Sequence, residues 1–190
     1  MRKYLDLEVS LLDIEPRIWR RFLLPESASF GDLHEAIQDG FGWEYDHLFE
    51  FRDKGGRQSI ARADFDDGYD DEEVPTVGKL KLAAFFTRKG KKCRYVYDFG
   101  DSWEHAVEFR GMVELPEKFR RRLVDGARAC PLEDCGGVWG YYACCAAVGA
   151  IDPKEIGIGK EDLEDRREWV GEEWQPDRFD LGTQKKQFDR

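Results

Sequence analysis

The feature that most constrains the fold is an alternating block between Cys93 and Phe109. Aromatic and apolar residues occupy every second position from 93 to 99 and again from 103 to 109, and the intervening Gly100-Asp101-Ser102 consists of turn-forming residues. Because successive side chains of a strand point to opposite faces, a period of two is typical of strands with one buried face. We therefore predict an antiparallel hairpin whose inward face carries Trp103, His105, Val107 and Phe109.

The first 41 residues predict a second hairpin followed by a helix. Apolar residues alternate with polar ones over 5–11, and another extended run covers 18–24. Ser29 and Asp32 have the spacing of a helix cap, and apolar residues then recur at helical spacing to Phe41. We expect this helix to pack on the N-terminal hairpin.

Shorter segments complete the prediction. A strand is expected over 47–51, and helices are expected over 76–82, 116–123, 140–150 and 161–170. No linker rich in proline, glycine or serine divides the chain. We therefore predict a single α+β domain over 1–190, with its core at about 4–180, built from antiparallel strands and hairpins with further helices toward the C-terminus.

The net charge of the chain indicates which class of binding partner to expect. The sequence has 30 Lys and Arg against 40 Asp and Glu, a formal net charge of −10, whereas affinity for duplex nucleic acid comes largely from neutralised phosphates. Basic clusters at 17–21, 88–94 and 120–122 lie in acidic surroundings and are expected to be solvated faces with local ion pairs. Duplex nucleic acid is therefore disfavoured, and the expected partner is an unknown protein or small ligand.

The sequence also predicts a cytoplasmic protein. The first residues lack the apolar region of a signal peptide, and no run approaches the roughly 18 apolar residues of a membrane span. The five cysteines are an odd number, so we expect reduced thiols at Cys93, Cys130, Cys135, Cys144 and Cys145.

Candidate functional residues are titratable side chains, because the signatures of several large enzyme classes are absent from the sequence. These include the phosphate-binding loop, the dinucleotide fingerprint, the nucleophile elbow and the HExxH motif. A carboxylate beside an imidazole fixes its tautomer and raises its basicity, which suits a general base or a metal ligand. The same side chains also fit purely structural hydrogen bonds. The candidate cleft consists of His47, Asp98, Asp101, Trp103, His105, Glu133 and Asp134.

No cofactor is predicted outright, but zinc or another divalent metal stays open. Cys130 and Cys135 have four residues between them, a spacing that fits half of a zinc site, and His47 or His105 would supply the distant half. The acidic run 64–73 has the composition of a calcium loop but lacks the ordered spacing and closing glutamate of an EF-hand. We interpret that run as a solvated loop.

Several blocks of this sequence resemble one known family. In order, they are Ile18-Trp19-Arg20-Arg21, Phe30-Gly31-Asp32-Leu33-His34, Gly42-Trp43 with His47-Leu48, the run from Tyr97 to His105, and Glu133-Asp134-Cys135-Gly136-Gly137. Together they resemble the plasmid pRiA4b ORF-3-like family, whose relatives include passenger proteins of some insertion elements. The resemblance runs from about Tyr4 to Asp180 and implies a compact α+β domain, without an established activity. The family usually has a second proline where this chain has Leu132, so the loop is expected to be less rigid.

Two functional hypotheses follow. The first is a non-catalytic binding or adaptor domain that recognises a protein or small ligand in a cleft near His47 and His105. The alternative is a metal-assisted or acid–base enzyme that uses both histidines and the Glu133-Asp134 loop. We prefer the first because no motif completes a catalytic set. We also predict that a carboxylate or backbone carbonyl of this loop bonds His105, and that His47 borders the same cleft.

Overall fold

An antiparallel seven-stranded sheet forms the centre of the computed structural model, which describes residues 1–63 and 74–190. Its strands are β1 (Arg2–Leu11), β2 (Trp19–Pro25), β3 (Phe49–Asp53), β4 (Ser59–Arg62), β5 (Lys92–Tyr97), β6 (Trp103–Leu115) and β7 (Arg122–Ala127), in the order β4-β3-β5-β6-β1-β2-β7. The helices are α1 (Phe30–Phe41), α2 (Leu82–Phe85), α3 (Gly137–Ala147), α4 (Pro153–Ile156), α5 (Lys160–Val170) and α6 (Leu181–Phe188). The predicted α+β fold is therefore confirmed, whereas the acidic run 64–73 lies outside the described residues.

The central hairpin has the predicted register. Tyr97 pairs with Trp103 across the turn, and the antiparallel ladder of β5 and β6 continues to the pair of Lys92 and Glu108. The inward residues of β6, among them Trp103 and Val107, are buried. The alternation of the sequence thus correctly predicts both the pairing and the buried face.

The N-terminal hairpin and its helix are confirmed as well. β1 pairs with both β2 and β6, which makes it a central strand. Helix α1 begins with a capping box: the Asp32 N–H donates to Ser29 Oγ at 3.2 Å, and the Ser29 N–H donates to Asp32 Oδ2 at 2.8 Å. Its apolar side, including Leu33 and Ile37, is fully buried, and the helix packs against β2 and α6.

The predicted helix over 116–123 is wrong, because Arg122–Ala127 forms β7 and pairs with β2. Without β7, the outer N–H and C=O groups of β2 would lack partners, and pairing satisfies them. Just before β7, the Tyr4 hydroxyl donates to the Glu117 carbonyl at 2.7 Å and accepts from the Phe119 N–H at 3.3 Å. These long-range contacts override the local preference for a helix.

Three other boundaries also differ from the prediction. Residues 77–80 form a turn rather than a helix; Thr76 makes a bridge to Arg62, and α2 begins only at Leu82. The helix predicted over 140–150 is α3, which begins earlier and ends at Ala147. The strand predicted over 47–51 begins at Phe49. No helix of the described ranges is both long and apolar enough to cross a membrane.

The expectation that the basic clusters are solvated is wrong for two arginines. Arg20 is 2% exposed and Arg121 is 3% exposed. Arg121 pairs with Asp39, whereas Arg20 donates to neutral acceptors, namely the carbonyls of Gly40, Trp19, Ala127 and Arg128 and the sulfur of Cys130. Because these acceptors come from separate segments, Arg20 joins the end of α1 to β7 and to the loop that follows it.

Candidate functional site

The turn between β5 and β6 fixes the first carboxylate of the site. Asp98 has a left-handed backbone with φ 54°, which aspartate tolerates better than most residues. Its Oδ1 accepts hydrogen bonds from the N–H groups of Gly100 and Asp101, at 2.9 and 3.3 Å. The other oxygen, Oδ2, lies 3.9 Å from Nε2 of His47.

The loop before α3 supplies two further carboxylates, and it is anchored on that turn. The Gly136 N–H donates to Asp101 Oδ2 at 2.9 Å. A Cβ atom at Gly137 would lie 2.6 Å from the Asp101 carbonyl oxygen, so only glycine permits this approach. Asp101 therefore positions the loop, while Glu133 and Asp134 reach the histidine.

His47 is the residue on which the carboxylates converge. Its Nε2 lies 3.1 Å from Asp134 Oδ1 and 3.7 Å from Glu133 Oε1. The candidate ligand atoms of His47, Asp98 and Asp134 all lie within 4.8 Å of one another. Although Asp134 is at ion-pair distance, Nε2 is shielded from solvent and makes no aligned hydrogen bond with a described residue. The nitrogen is thus placed among three carboxylates without a conventional partner.

Glu133 is held in place by two donors. The Tyr97 hydroxyl donates to Oε1 at 2.6 Å, and the Glu44 N–H donates to Oε2 at 3.2 Å. Burial and the hydrogen bond to Glu133 raise the pKa of Tyr97, which keeps this hydroxyl protonated as a donor. Tyr97 also contacts His47 edge to face, with ring centres 5.7 Å apart. One tyrosine therefore orients both the carboxylate and the imidazole.

His105 lies in the core, and its predicted bond to the Glu133-Asp134 loop is wrong. The side chain is fully buried, and Nδ1 faces the carbonyls of Trp103 at 3.1 Å and Tyr95 at 3.3 Å. Burial lowers the pKa of His105 to about 3. Trp43 stands between His105 and the loop: its ring contacts His105 edge to face, and its Nε1 donates to the Pro131 carbonyl at 3.2 Å. Trp103 is likewise a buried core residue.

The two candidate cysteine ligands do not join the histidines. Cys130 Sγ accepts a hydrogen bond from Arg20, and burial raises the pKa of its thiol to about 11. A hydrogen bond with Cys144, followed by burial, raises the pKa of Cys135. Protonated thiols are poor metal ligands and poor nucleophiles. Within 1–63 and 74–190, the cluster of potential ligands is His47, Asp98 and Asp134, and neither sulfur belongs to it.

The sequence-based prediction missed Tyr97 and Trp43. Tyr97 directly precedes Asp98 on the inward face of β5, so its hydroxyl needed a polar partner once it was buried. That requirement was a usable signal. Trp43 follows the left-handed Gly42 that ends α1, and the direction of its ring depends on tertiary contacts that no local pattern reveals.

Two proteins similar to this chain carry descriptions that state no function. The family model described as plasmid pRiA4b ORF-3-like protein matches residues 3–183. An uncharacterized protein, y4hQ of Sinorhizobium fredii, is 32% identical over 142 residues, which cover 75% of this chain and 71% of that protein. The crystal structure of MM3350 from Methanosarcina mazei Go1, a protein of unknown function, is 33% identical, with a TM-score of 0.77 over 96% of each chain. These comparisons confirm the resemblance and support the fold.

Proposed function

We propose that this chain, which belongs to the plasmid pRiA4b ORF-3-like family, is a binding domain that holds a divalent cation at His47, Asp98 and Asp134. The observation that carries the proposal is the convergence of one imidazole nitrogen and two carboxylate oxygens, from three separate segments, within 4.8 Å. Imidazole and carboxylate together suit Mn²⁺ or Zn²⁺. The bound cation would then contact a protein or small ligand in the cleft.

The spacing of the donors supports a single ion. Donor atoms about 2.1 Å from an ion lie about 3 to 4.2 Å from one another. The separations of His47 Nε2 from Asp134 Oδ1 and Asp98 Oδ2, 3.1 and 3.9 Å, fall within this range, and the two carboxylates lie within 4.8 Å of each other. Small side-chain rotations therefore suffice to close the site.

Charge and support around the cluster also favour a cation. Asp98, Glu133 and Asp134 surround one imidazole, and their mutual repulsion is relieved when a positive ion lies between them. Asp98 is oriented by backbone N–H groups, and Glu133 is oriented by Tyr97. The N–H groups that hold Asp98 are outer partners typical of metal sites, because they keep a ligand in place, while Glu133 adds negative charge beside the ion.

One side of the cluster faces solvent. The Asp134 side chain is 70% exposed, whereas that of His47 is 28% exposed. A cation here would retain coordination positions for water or for the ligand. We infer that the ligand offers oxygen donors, such as a carboxylate or phosphate group.

A second candidate function is metal-assisted or acid–base catalysis by His47 with Asp98, Glu133 and Asp134; His105, which the sequence-based hypothesis included, lies buried in the core and takes no part. The exposed side of Asp134 favours catalysis, because a water bound to a cation at an open position becomes a stronger acid. Hydrolysis of phosphate or carboxylate esters by the wild type, lost in Asp98→Asn, would support catalysis. Equal rates in both proteins would exclude these carboxylates as its source.

Isothermal titration of Mn²⁺ into metal-free protein tests the proposed binding. The wild type should bind one ion, and His47→Ala or Asp98→Asn should weaken that binding at least about tenfold. Asp46→Asn is the matched control: it removes one exposed charge beside His47 without removing a member of the cluster. Binding that is equally weakened by Asp46→Asn, or unchanged by Asp98→Asn, would contradict the proposal.

Location and genetic context form a separate part of the proposal. We infer a cytoplasmic location, supported by five free cysteines. We also infer an association with mobile elements, which rests on the family resemblance alone. Fractionation of cells that express the protein tests the location.

A further inference from the structure

A second surface feature lies beside the proposed cation site. Two tryptophans, Trp139 on α3 and Trp169 on α5, are 55% and 49% exposed. Together with Ile158 they line an open groove of about 540 Å³ whose lining also includes Asp134. Exposed tryptophans are enriched among the residues that dominate binding energies at interfaces. We call this surface the tryptophan groove.

The charged lining of the groove is predominantly acidic. It consists of Asp134, Asp162, Asp165 and Arg166. Asp162, Asp165 and Trp169 lie three and four residues apart on α5, so they share one side of that helix. The groove therefore combines aromatic faces with a net negative charge.

Arg166 is already engaged by the protein. Its Nη1 donates to the Cys135 carbonyl at 3.0 Å, and its guanidinium lies 5.3 Å from the centre of the Trp169 ring. This contact is an internal example of a cation against a tryptophan face of the groove. Because Arg166 is fixed in that role, the carboxylates of Asp162 and Asp165 can face a different cation.

We propose that the tryptophan groove binds a lysine side chain of a partner protein. Tryptophan is the best aromatic partner for a cation, and the aliphatic stem of lysine packs on the rings while its ammonium reaches Asp162 and Asp165. The formal net charge of −10 attracts a basic partner over a longer range. This inference rests on the proposed function, because that function supplies the partner protein. It does not require the cation at His47, Asp98 and Asp134.

The test uses the full chain in EDTA, so that a cation at His47 plays no part. The probe is a tetralysine peptide, and binding is followed by NMR through the indole N–H signals, which Trp139→Phe and Trp169→Phe assign. Both signals should shift on titration. Acetylation of the four side chains removes their charge and should weaken binding about three- to thirtyfold. Equal affinity for the acetylated peptide would overturn the proposal.

Matched variants of α5 distinguish binding in the groove from attraction by the overall negative charge of the protein. Asp162→Asn with Asp165→Asn should weaken tetralysine binding about three- to thirtyfold. Glu164→Gln with Glu168→Gln removes the same charge from exposed positions outside the groove and should leave binding unchanged. Equal weakening by both pairs would overturn the assignment of lysine binding to the tryptophan groove. Tetramethylammonium that binds as tightly as the peptide would also overturn it. If the wild type failed to bind tetralysine while it still bound Mn²⁺, only the groove would be refuted and the proposed cation site would stand.

Discussion

Replacing His105 with phenylalanine should make the stability of the protein less dependent on pH. Burial lowers the pKa of His105 to about 3, partly opposed by the carbonyls of Tyr95 and Trp103, whereas in the unfolded chain its pKa is about 6.5. Below pH 6.5 the unfolded state therefore binds a proton that the native state does not bind. Stability must fall as the pH decreases from about 6.5 toward 3.

The size of this effect follows from the two pKa values. Between pH 7.5 and 5.0, protonation of His105 in the unfolded chain lowers the free energy of unfolding by about 2 kcal/mol. The native state gains no compensating proton, because pH 5.0 is still well above the native pKa of His105. Phenylalanine suits the site sterically, since Phe41 and Trp43 already contact the ring edge to face. The variant loses the contacts of Nδ1 with two carbonyls but has no group to titrate.

Urea unfolding at pH 7.5, 6.0 and 5.0 measures the effect. Over this range the wild type should lose about 2 kcal/mol more free energy of unfolding than His105→Phe does. Val107→Ala is the matched control, because it removes volume from a buried position of the same strand without changing a titratable group. It should be less stable at every pH but run parallel to the wild type. A His105→Phe curve that also runs parallel to the wild type would refute the assignment of a buried, neutral His105.

Three further predictions concern the core, the thiols and the site loop. Val107→Asp should lower the free energy of unfolding by about 3 to 5 kcal/mol, because it places an unpaired charge in the core, and a loss below 1 kcal/mol in urea unfolding would contradict the buried position. Alkylation of the unfolded chain without reductant should label all five cysteines by mass spectrometry, and labelling two or four short would contradict a reduced state. Gly140→Ala should strongly reduce the melting temperature, because the new Cβ would lie 1.7 Å from the Cys135 carbonyl oxygen. Gly78→Ala places its Cβ in open space and should change the melting temperature little. Similar effects of the two substitutions would contradict this packing.

Much of the fold could be predicted from local patterns. The alternation over 93–109 indicates both strands and their turn, and the capping residues Ser29 and Asp32 indicate the start of α1. β7 could not be predicted in this way, since Leu123 is its only fully buried residue and its pairing with β2 is a long-range contact. The burial of Arg20 was equally hidden, because its acceptors lie up to 110 residues away.

The site was predicted in part. His47, Asp98, Glu133 and Asp134 do come together, whereas His105 is separated from them by Trp43. The period of two correctly placed His105 inward but could not say which inward residue meets the loop. The pairing of Phe49 with Tyr97 brings the residues before β3 beside those after β5, and this register places His47 next to Asp98.

Anomalous diffraction from a crystal soaked in MnCl₂ tests the central claim most directly. The proposed site predicts a manganese peak about 2.0 to 2.5 Å from His47 Nε2 and from one carboxylate oxygen each of Asp98 and Asp134. The Asp98→Asn variant, soaked identically, should lose the peak. A wild-type crystal with no peak among these three residues, or with its peak at the cysteines instead, would contradict the account.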